Sequence, residues 1–447
     1  MSVTAIPATG GAYRAAFEAA ARAQRGPGWL GTARRAAFER FLELGFPTPK
    51  HEEWRHTNVA VIARGEFTPA PPPDAAAEAA AEKFLAGSPF AALGGARLVF
   101  LDGRYAARFS TPGALGAGVR AGSLGAALAA GDAIGEALTR EAPWSELAFV
   151  ALNTALFDDG AVIEIGRGQV LPEPVHVLYL ATAAAAQYLQ PRTLILAGRD
   201  SQASVIEAYA SLGEQGVFTN AVTEIVAEEN AALEHARLQQ ENLASYHVSA
   251  TFARAGRTAR VALHALTFGG ALTRNDVTAV LDGEGAEVLL NGLYIAGGRQ
   301  HIDNHTVLDH AQPLGTSREF YKGILDGQAS TAFRGRIVVR PDAQHTDAIQ
   351  SDKNLLLSAD AVASSDPQLE IRADDVRCTH GATFGQIDAE ALFYLQSRGI
   401  GAEAARRLLT FAFASDVLAR LRCAPLRRAL ERELFHRWTG LEGDGEA

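Results

Sequence analysis

Ala259-Arg-Val-Ala-Leu-His-Ala-Leu266 and Ala286-Glu-Val-Leu-Leu-Asn-Gly-Leu293 are two versions of one phrase, introduced by the polar turns Gly256-Arg257 and Gly283-Glu284. The phrase also stands upstream, as Ala203-Ser-Val-Ile-Glu-Ala208 after Arg199-Asp200 and as Ala232-Leu-Glu-His-Ala236 after Glu229-Asn230. The leading alanines Ala203, Ala232, Ala259 and Ala286 are almost evenly spaced along the chain. Their interval suits one coil of two or three short strands and their turns, and such coils bury their faces by stacking on neighbours. A β-sandwich also shows short strands and turns, but the repeat favours a parallel β-helix.

Around this repeat lie further β-branched and aliphatic runs: Ala161–Ile165, Val175–Leu180, Thr193–Leu196, Val277–Leu281 and Arg336–Arg340. No long helical pattern separates them until about residue 388, which excludes an α/β fold with a helix in each crossover. Before residue 150 the periodicity is helical, over 12–45 with a break at Gly26-Pro-Gly28, over Ala75–Leu85, and from Gly122 to about Phe149. A strand pair is expected around Arg97–Gly103. Helical spacing returns over Ala389–Arg398, Ala402–Leu421 and Pro425–Trp438. The expected fold is therefore mainly β. A right-handed parallel β-helix core spans 151–387, between an N-terminal mainly helical domain (1–150) and a C-terminal helical domain (388–447). A strand stack has open edges that must be covered or paired, and the flanking helices are expected to cap its two ends. In Phe333–Arg340, Phe333, Ile337 and Val339 share one face and Arg334, Arg336 and Arg340 the other, a row that is either an interface or, by default, a solvated surface.

The chain has 447 residues, 48% hydrophobic and 21% charged, with a net charge of −10. An acidic chain lacks the basic footprint of a general nucleic-acid binder. Its two cysteines, Cys378 and Cys423, are no disulfide framework and suit a reducing compartment. The opening residues show no secretory pattern and no apolar run approaches the ~18 residues of a membrane span, so the expected location is cytoplasmic. There is no P-loop, C-x-x-C, H-E-x-x-H, G-x-S-x-G or strand-borne G-x-G-x-x-G, and hence no expected ATP site. His301, His305 and His310 alternate faces on a strand and are not expected to share a metal. Between Ala402 and Trp438 eight arginines face four acids, either a mixed solvated face or a dock for an acidic partner.

The chemistry-bearing stretch is Arg372-Ala-Asp-Asp-Val-Arg-Cys378-Thr-His380-Gly-Ala-Thr-Phe-Gly-Gln-Ile-Asp388. On a strand, Val376, Cys378 and His380 point to one face. A thiol and an imidazole are candidate iron or Fe–S ligands, but two ligands leave a tetrahedral shell incomplete. The alternative is a packed thiol beside a hydrogen-bonded turn histidine.

Several blocks resemble the SufB/SufD family of iron–sulfur cluster assembly proteins. They are Gly315-Thr-Ser-Arg-Glu-Phe-Tyr-Lys-Gly-Ile-Leu-Asp-Gly327, Ala329–Gly335, Gln344–Leu357, Asp375–Asp388 and the element Glu53-Trp-Arg-His-Thr-Asn58. The low cysteine count and the Glu-Trp element resemble the SufD branch rather than SufB. The resemblance implies a scaffold rather than a stand-alone catalyst. It implies pairing with SufB through the β-helical cores, C-terminal helices that each hold a SufC ATPase, and sulfur delivered by a cysteine desulfurase system. It places His380, with Cys378 beside it, at the SufB–SufD interface, serving a transient Fe–S cluster or iron shared with SufB. A homodimer of the isolated chain is a further expectation. Flavin association is conceivable by family, without a flavin motif here. A β-helical carbohydrate-active enzyme working through carboxylates and a purely structural adaptor are the rival readings.

Overall fold

A computed structural model describes residues 11–23, 27–90, 93, 95–113, 115–131, 134 and 137–439. From Gly160 onward the chain winds into a β-solenoid of about 8 turns. Each regular coil has two strands of about ten residues, such as His301–His310 and Thr316–Leu325, and each strand pairs in parallel with its counterpart one coil on. Successive strands thus alternate between two sheets, ending at Val362–Ile371 in the first and Arg377–Gly385 in the second.

Alternating side chains from both sheets fill the interior. Ala279, Leu308, Ile337 and Leu369 form one rung-by-rung ladder of the first sheet. In the second sheet Ala203, Leu233, Val261, Val288, Ser317, Ala348 and Cys378 stack in register. The repeat is real but its step varies: the coil from Val261 to Val288 is the shortest of this series and that from Ser317 to Ala348 the longest. The equivalent of Ala259 and Ala286 is Ala231, not Ala232, because Ala232 pairs with Arg260.

One corner of each coil is fixed by a residue in the left-handed region: Asp200, Asn230, Thr258, Gly285, Leu314 and His345. Each donates its amide to a carbonyl of the next coil, at Glu229, Arg257, Glu284, Pro313, Gln344 and Asp375. That bond offsets the ~1–2 kcal/mol which a left-handed L-residue costs, and it explains the polar turn before each phrase.

The solenoid's first end is closed. Arg97–Leu101 adds a parallel strand to Val175–Ala181, and Val119–Ser123 pairs antiparallel with Gly160–Ile165. The helix Leu124–Ala129 packs Leu124 and Leu128 near Val162 and Leu194. The helices Gly28–Leu44 and Ala148–Leu156 bring Phe38, Phe41 and Phe149 onto Phe218, Val248 and Leu272. Between Ala129 and Ala148 the expected helix is absent among the described residues. There the Glu224 carboxylate accepts the amides of Thr139, Glu141 and Ala142, and Thr139 takes a positive φ. Those amides are drawn to a buried acid instead of helical carbonyls. The break at Gly26-Pro-Gly28 lies partly outside the described residues.

The C-terminal helices Ala389–Ser397, Ala402–Leu418 and Ala424–Thr439 do not cap the far end. Ala414, Val417, Leu418 and Leu421 join Leu238, Leu266, Leu293 and Ile324 in one cluster on the outer face of the second sheet. Asn291 Nδ2 donates to the Val417 carbonyl at 3.1 Å, and Lys322 Nζ sits 2.8 Å from Asp416. The outer face offers apolar residues over several coils, a larger area to bury than the strand ends. Among the described residues no helix is long and apolar enough to cross a membrane.

Candidate functional site

Because the helices lie alongside, the last two strands stay open. Among the described residues Val362–Ile371 and Arg377–Gly385 each pair on one side only, so each presents an unpaired row of amides and carbonyls. Val362, Ile371 and Phe384 are exposed at this end.

Cys378 and His380 stand on this rim. Cys378 pairs in register with Ala348 and His380 with Gln350, both fully buried. The two side chains therefore continue interior ladders and face the solenoid axis, where no further coil covers them among the described residues. Cys378 is half-buried and packs with Val376 against the interior cluster, whereas His380 is exposed. Burial, with a smaller contribution from Asp347, pushes the Cys378 thiol up. It is thus protonated near neutral pH, and a cation or metal must arrive before it acts as thiolate. Among the described residues no group of three or more His, Cys, Asp and Glu side chains is placed to hold a metal ion.

Behind the rim the interior is polar, which strand periodicity did not single out. Gln350 Nε2 donates to Glu319 Oε2 at 2.6 Å. Asp352 accepts from the Tyr294 hydroxyl at 2.9 Å and from Asn354 Nδ2 at 2.8 Å. Burial raises Glu319 to about 7 and Asp352 to about 6. Two acids that hold protons close to neutrality thus sit within a coil or two of His380. The inward series Ala348, Gln350, Asp352, Asn354 is polar in three of its four members, but the outward series carries Asp347, Ser351 and Lys353, so nothing local marked the polar interior.

The Glu53–Asn58 element lies across the outer face of the first sheet. Arg274 stacks over the Trp54 ring at 4.4 Å and donates to the Glu53 carbonyl. Thr57 bonds Asp303 and His301, and Glu53 pairs with His305 at 2.9 Å. The His301/His305/His310 set does not alternate as expected: His301 and His305, four residues apart, share the outer face and meet this element, while His310 faces inward and bonds Ser317. The arginine row of Phe333–Arg340 is outward-facing, yet it is paired rather than simply solvated. Arg334 meets Glu52 and Asp366, Arg336 meets Glu370, and Arg340 grips Asp309 with two bonds.

Residues 179–413 match the SufBD core domain of the SUF system for FeS cluster assembly, and residues 20–177 match the SufBD protein N-terminal region. The chain belongs to the SufBD family. It is 30% identical to the iron–sulfur cluster assembly protein SufD of Escherichia coli over 405 residues, 90% of this chain and 92% of that one. A SufBD family protein of Synechocystis is 31% identical over 409 residues, 89% of each chain. The chloroplastic protein ABCI7 of Arabidopsis thaliana is 32% identical over 280 residues, 60% of this chain and 58% of its own. The SufBD core thus covers the open-ended coils, and its match runs past Cys378 and His380 into the helix Ala402–Leu418.

Proposed function

We propose that this chain is a non-ATPase scaffold subunit of a SufB–SufC–SufD complex, with the nascent iron–sulfur cluster as its cargo. The observation that carries the reading is the uncapped solenoid end. It offers unpaired strand edges for a partner solenoid and, at the same lip, the inward-facing Cys378 and His380. Each of these two side chains would supply one ligand and a SufB solenoid the remainder, since two groups cannot fill a tetrahedral shell. The half-buried thiol stays protonated and unreactive until a cation or metal reaches it. The C-terminal helices would dock SufC, supported by their arginines and by Phe393 and Tyr394, which stand exposed on Ala389–Ser397.

The test is co-expression with SufB and SufC and reconstitution of cluster assembly in the purified complex. His380→Ala is expected to leave the complex intact and to cut cluster formation at least about tenfold, as loss of a ligand does. Normal cluster formation in an intact His380→Ala complex rejects the ligand role and leaves a structural adaptor. Failure to co-purify with SufB and SufC rejects the scaffold reading altogether.

A further inference from the structure

In a solenoid each coil touches only its immediate neighbours, yet one short segment of this chain touches four. Residues 52–57 form a strap along the outer face of the first sheet, over the consecutive strands Leu272–Leu281, His301–His310, Ser330–Val339 and Val362–Ile371. Arg274 on the first of these donates to the Glu53 carbonyl at 2.9 Å, and His301 and Asp303 on the second meet the buried Thr57 hydroxyl. Arg334 on the third donates to the Glu52 carbonyl at 2.8 Å and to its carboxylate at 3.2 Å. On the last strand, Ser364 Oγ lies 3.4 Å from His56 Nε2, and Asp366 lies 3.5 Å from Arg334 Nε. Both roots of the strap are fixed: Phe46 before it and Val59 after it are buried in one cluster with Phe149, Phe218, Val248 and Leu272.

The last strand is where such a strap has most to hold. Among the described residues Val362–Ile371 pairs on one side only, its two end residues are exposed and the rest are half-buried. A terminal strand of this kind opens locally at far lower cost than the coils behind it. Arg334 is its link to the strap. The Arg334 side chain is 17% exposed, set between the Glu52 carbonyl and the Asp366 carboxylate. A charged donor on a carbonyl at this depth is worth more than an exposed ion pair.

We infer that residues 52–57 and Val362–Ile371 open and close as one unit, with Arg334 as the residue that couples them. The strap thereby carries events at the open edge back to the aromatic cluster several coils behind it. Whatever pairs with Val362–Ile371 also tightens the strap, and loosening the strap frees the edge, the two effects being reciprocal. That a SufB solenoid is what pairs there rests on the scaffold reading above; the coupling itself does not.

The test is hydrogen exchange of the full-length chain, followed by mass spectrometry of peptides over 362–372, where the amides of Val362 and Arg372 bond to Ala329 and Val339. Arg334→Gln and Thr57→Val should each speed exchange there by about 2- to 10-fold, the equivalent of one net hydrogen bond. The Thr57 hydroxyl bonds only on His301–His310, two strands away, so its effect has to travel through the strap. Thr57→Ser, which keeps the hydroxyl, should leave exchange unchanged. In the Arg334→Gln background the Thr57→Val effect on 362–372 should vanish. Peptides over 217–227, behind the strap, should not change and so report that the fold is kept. If Thr57→Val disturbs them, Glu53→Ala, which releases His305 on the same strand, takes its place with the same expectation. Exchange over 362–372 that ignores Thr57→Val, or responds to it equally without Arg334, overturns the inference. Adding purified SufB should slow exchange over 52–57 by at least about 5-fold in the unaltered chain and not in Arg334→Gln. SufB that binds and protects 362–372 while leaving 52–57 unchanged also overturns it. No SufB binding at all rejects the scaffold reading, and the coupling then stands or falls on exchange in the isolated chain.

Discussion

Glu319→Gln should stabilise the chain at pH 8 and change it little at pH 5. Glu319 is fully buried, and desolvation raises its carboxyl from an ordinary 4.5 to about 7. Between those values the unfolded chain releases the proton while the folded chain keeps it, so folding stability falls as pH rises across this window and levels off above it. At about 1.36 kcal/mol per pH unit, the interval from 4.5 to about 7 amounts to about 3 kcal/mol. Glutamine carries no charge to desolvate, and its carbonyl still accepts the bond from Gln350 Nε2. The variant should therefore gain about 1–3 kcal/mol at pH 8 and well under half of that at pH 5. Urea unfolding of the full-length chain at pH 5, 6, 7 and 8, followed by far-UV circular dichroism, reads the difference. A variant that is no more stable at pH 8, or whose gain is the same at every pH, refutes the argument that Glu319 enters the folded interior as the neutral acid.

Three further outcomes follow from other contacts. Burial pulls His305 down, but Asp276 and Glu53 outweigh it and hold the ring above its ordinary value. The His305 bond, together with burial opposing it, leaves Glu53 at about 2. The Glu53–Asn58 element should accordingly grip best from mildly acidic to neutral pH. It should loosen as pH rises through the His305 value and again as pH falls toward 2, read as faster amide exchange over residues 52–58 after correction for intrinsic rates. Arg192 and Glu224 form a fully buried pair at 2.5 Å, shared with Asn153 and Thr154. Glu224→Ala, which strands the guanidinium, should cost about 3–5 kcal/mol in denaturant unfolding, and replacing both residues by methionine markedly less. Gly292→Ala would drive a Cβ into the Tyr321 ring and should cost about 1–3 kcal/mol through overpacking, whereas Gly381→Ala, with open space at its Cβ, should be near neutral in the isolated chain.

Period-two patterning and the Ala203–Leu293 repeat were enough to read the stacked parallel strands, because each coil must solve the same burial problem with its own residues. Parity on one strand likewise placed Cys378 and His380 on a common face, with no knowledge of the coils behind them. Where information had to cross coils, the reading failed. The apolar stripe of Ala402–Leu418 would cover a sheet's outer face as well as a solenoid end. The choice between them depends on how much apolar surface Leu238, Leu266, Leu293 and Ile324 present together, and those residues lie on four separate strands. Gln350 shows the same limit more sharply. Asp347–Leu356 carries polar side chains on both faces, so the segment alone gives no sign that Gln350 is buried. Its burial and its bond to Glu319, one coil earlier, appear only once the rungs are stacked, and the variable coil length prevents that register from being counted out along the chain. In a solenoid the ends of a ladder are therefore legible from local pattern, while the chemistry set up behind them is legible only once the rungs are stacked. A functional side chain on the last rung is accordingly best understood through the residues one and two coils behind it.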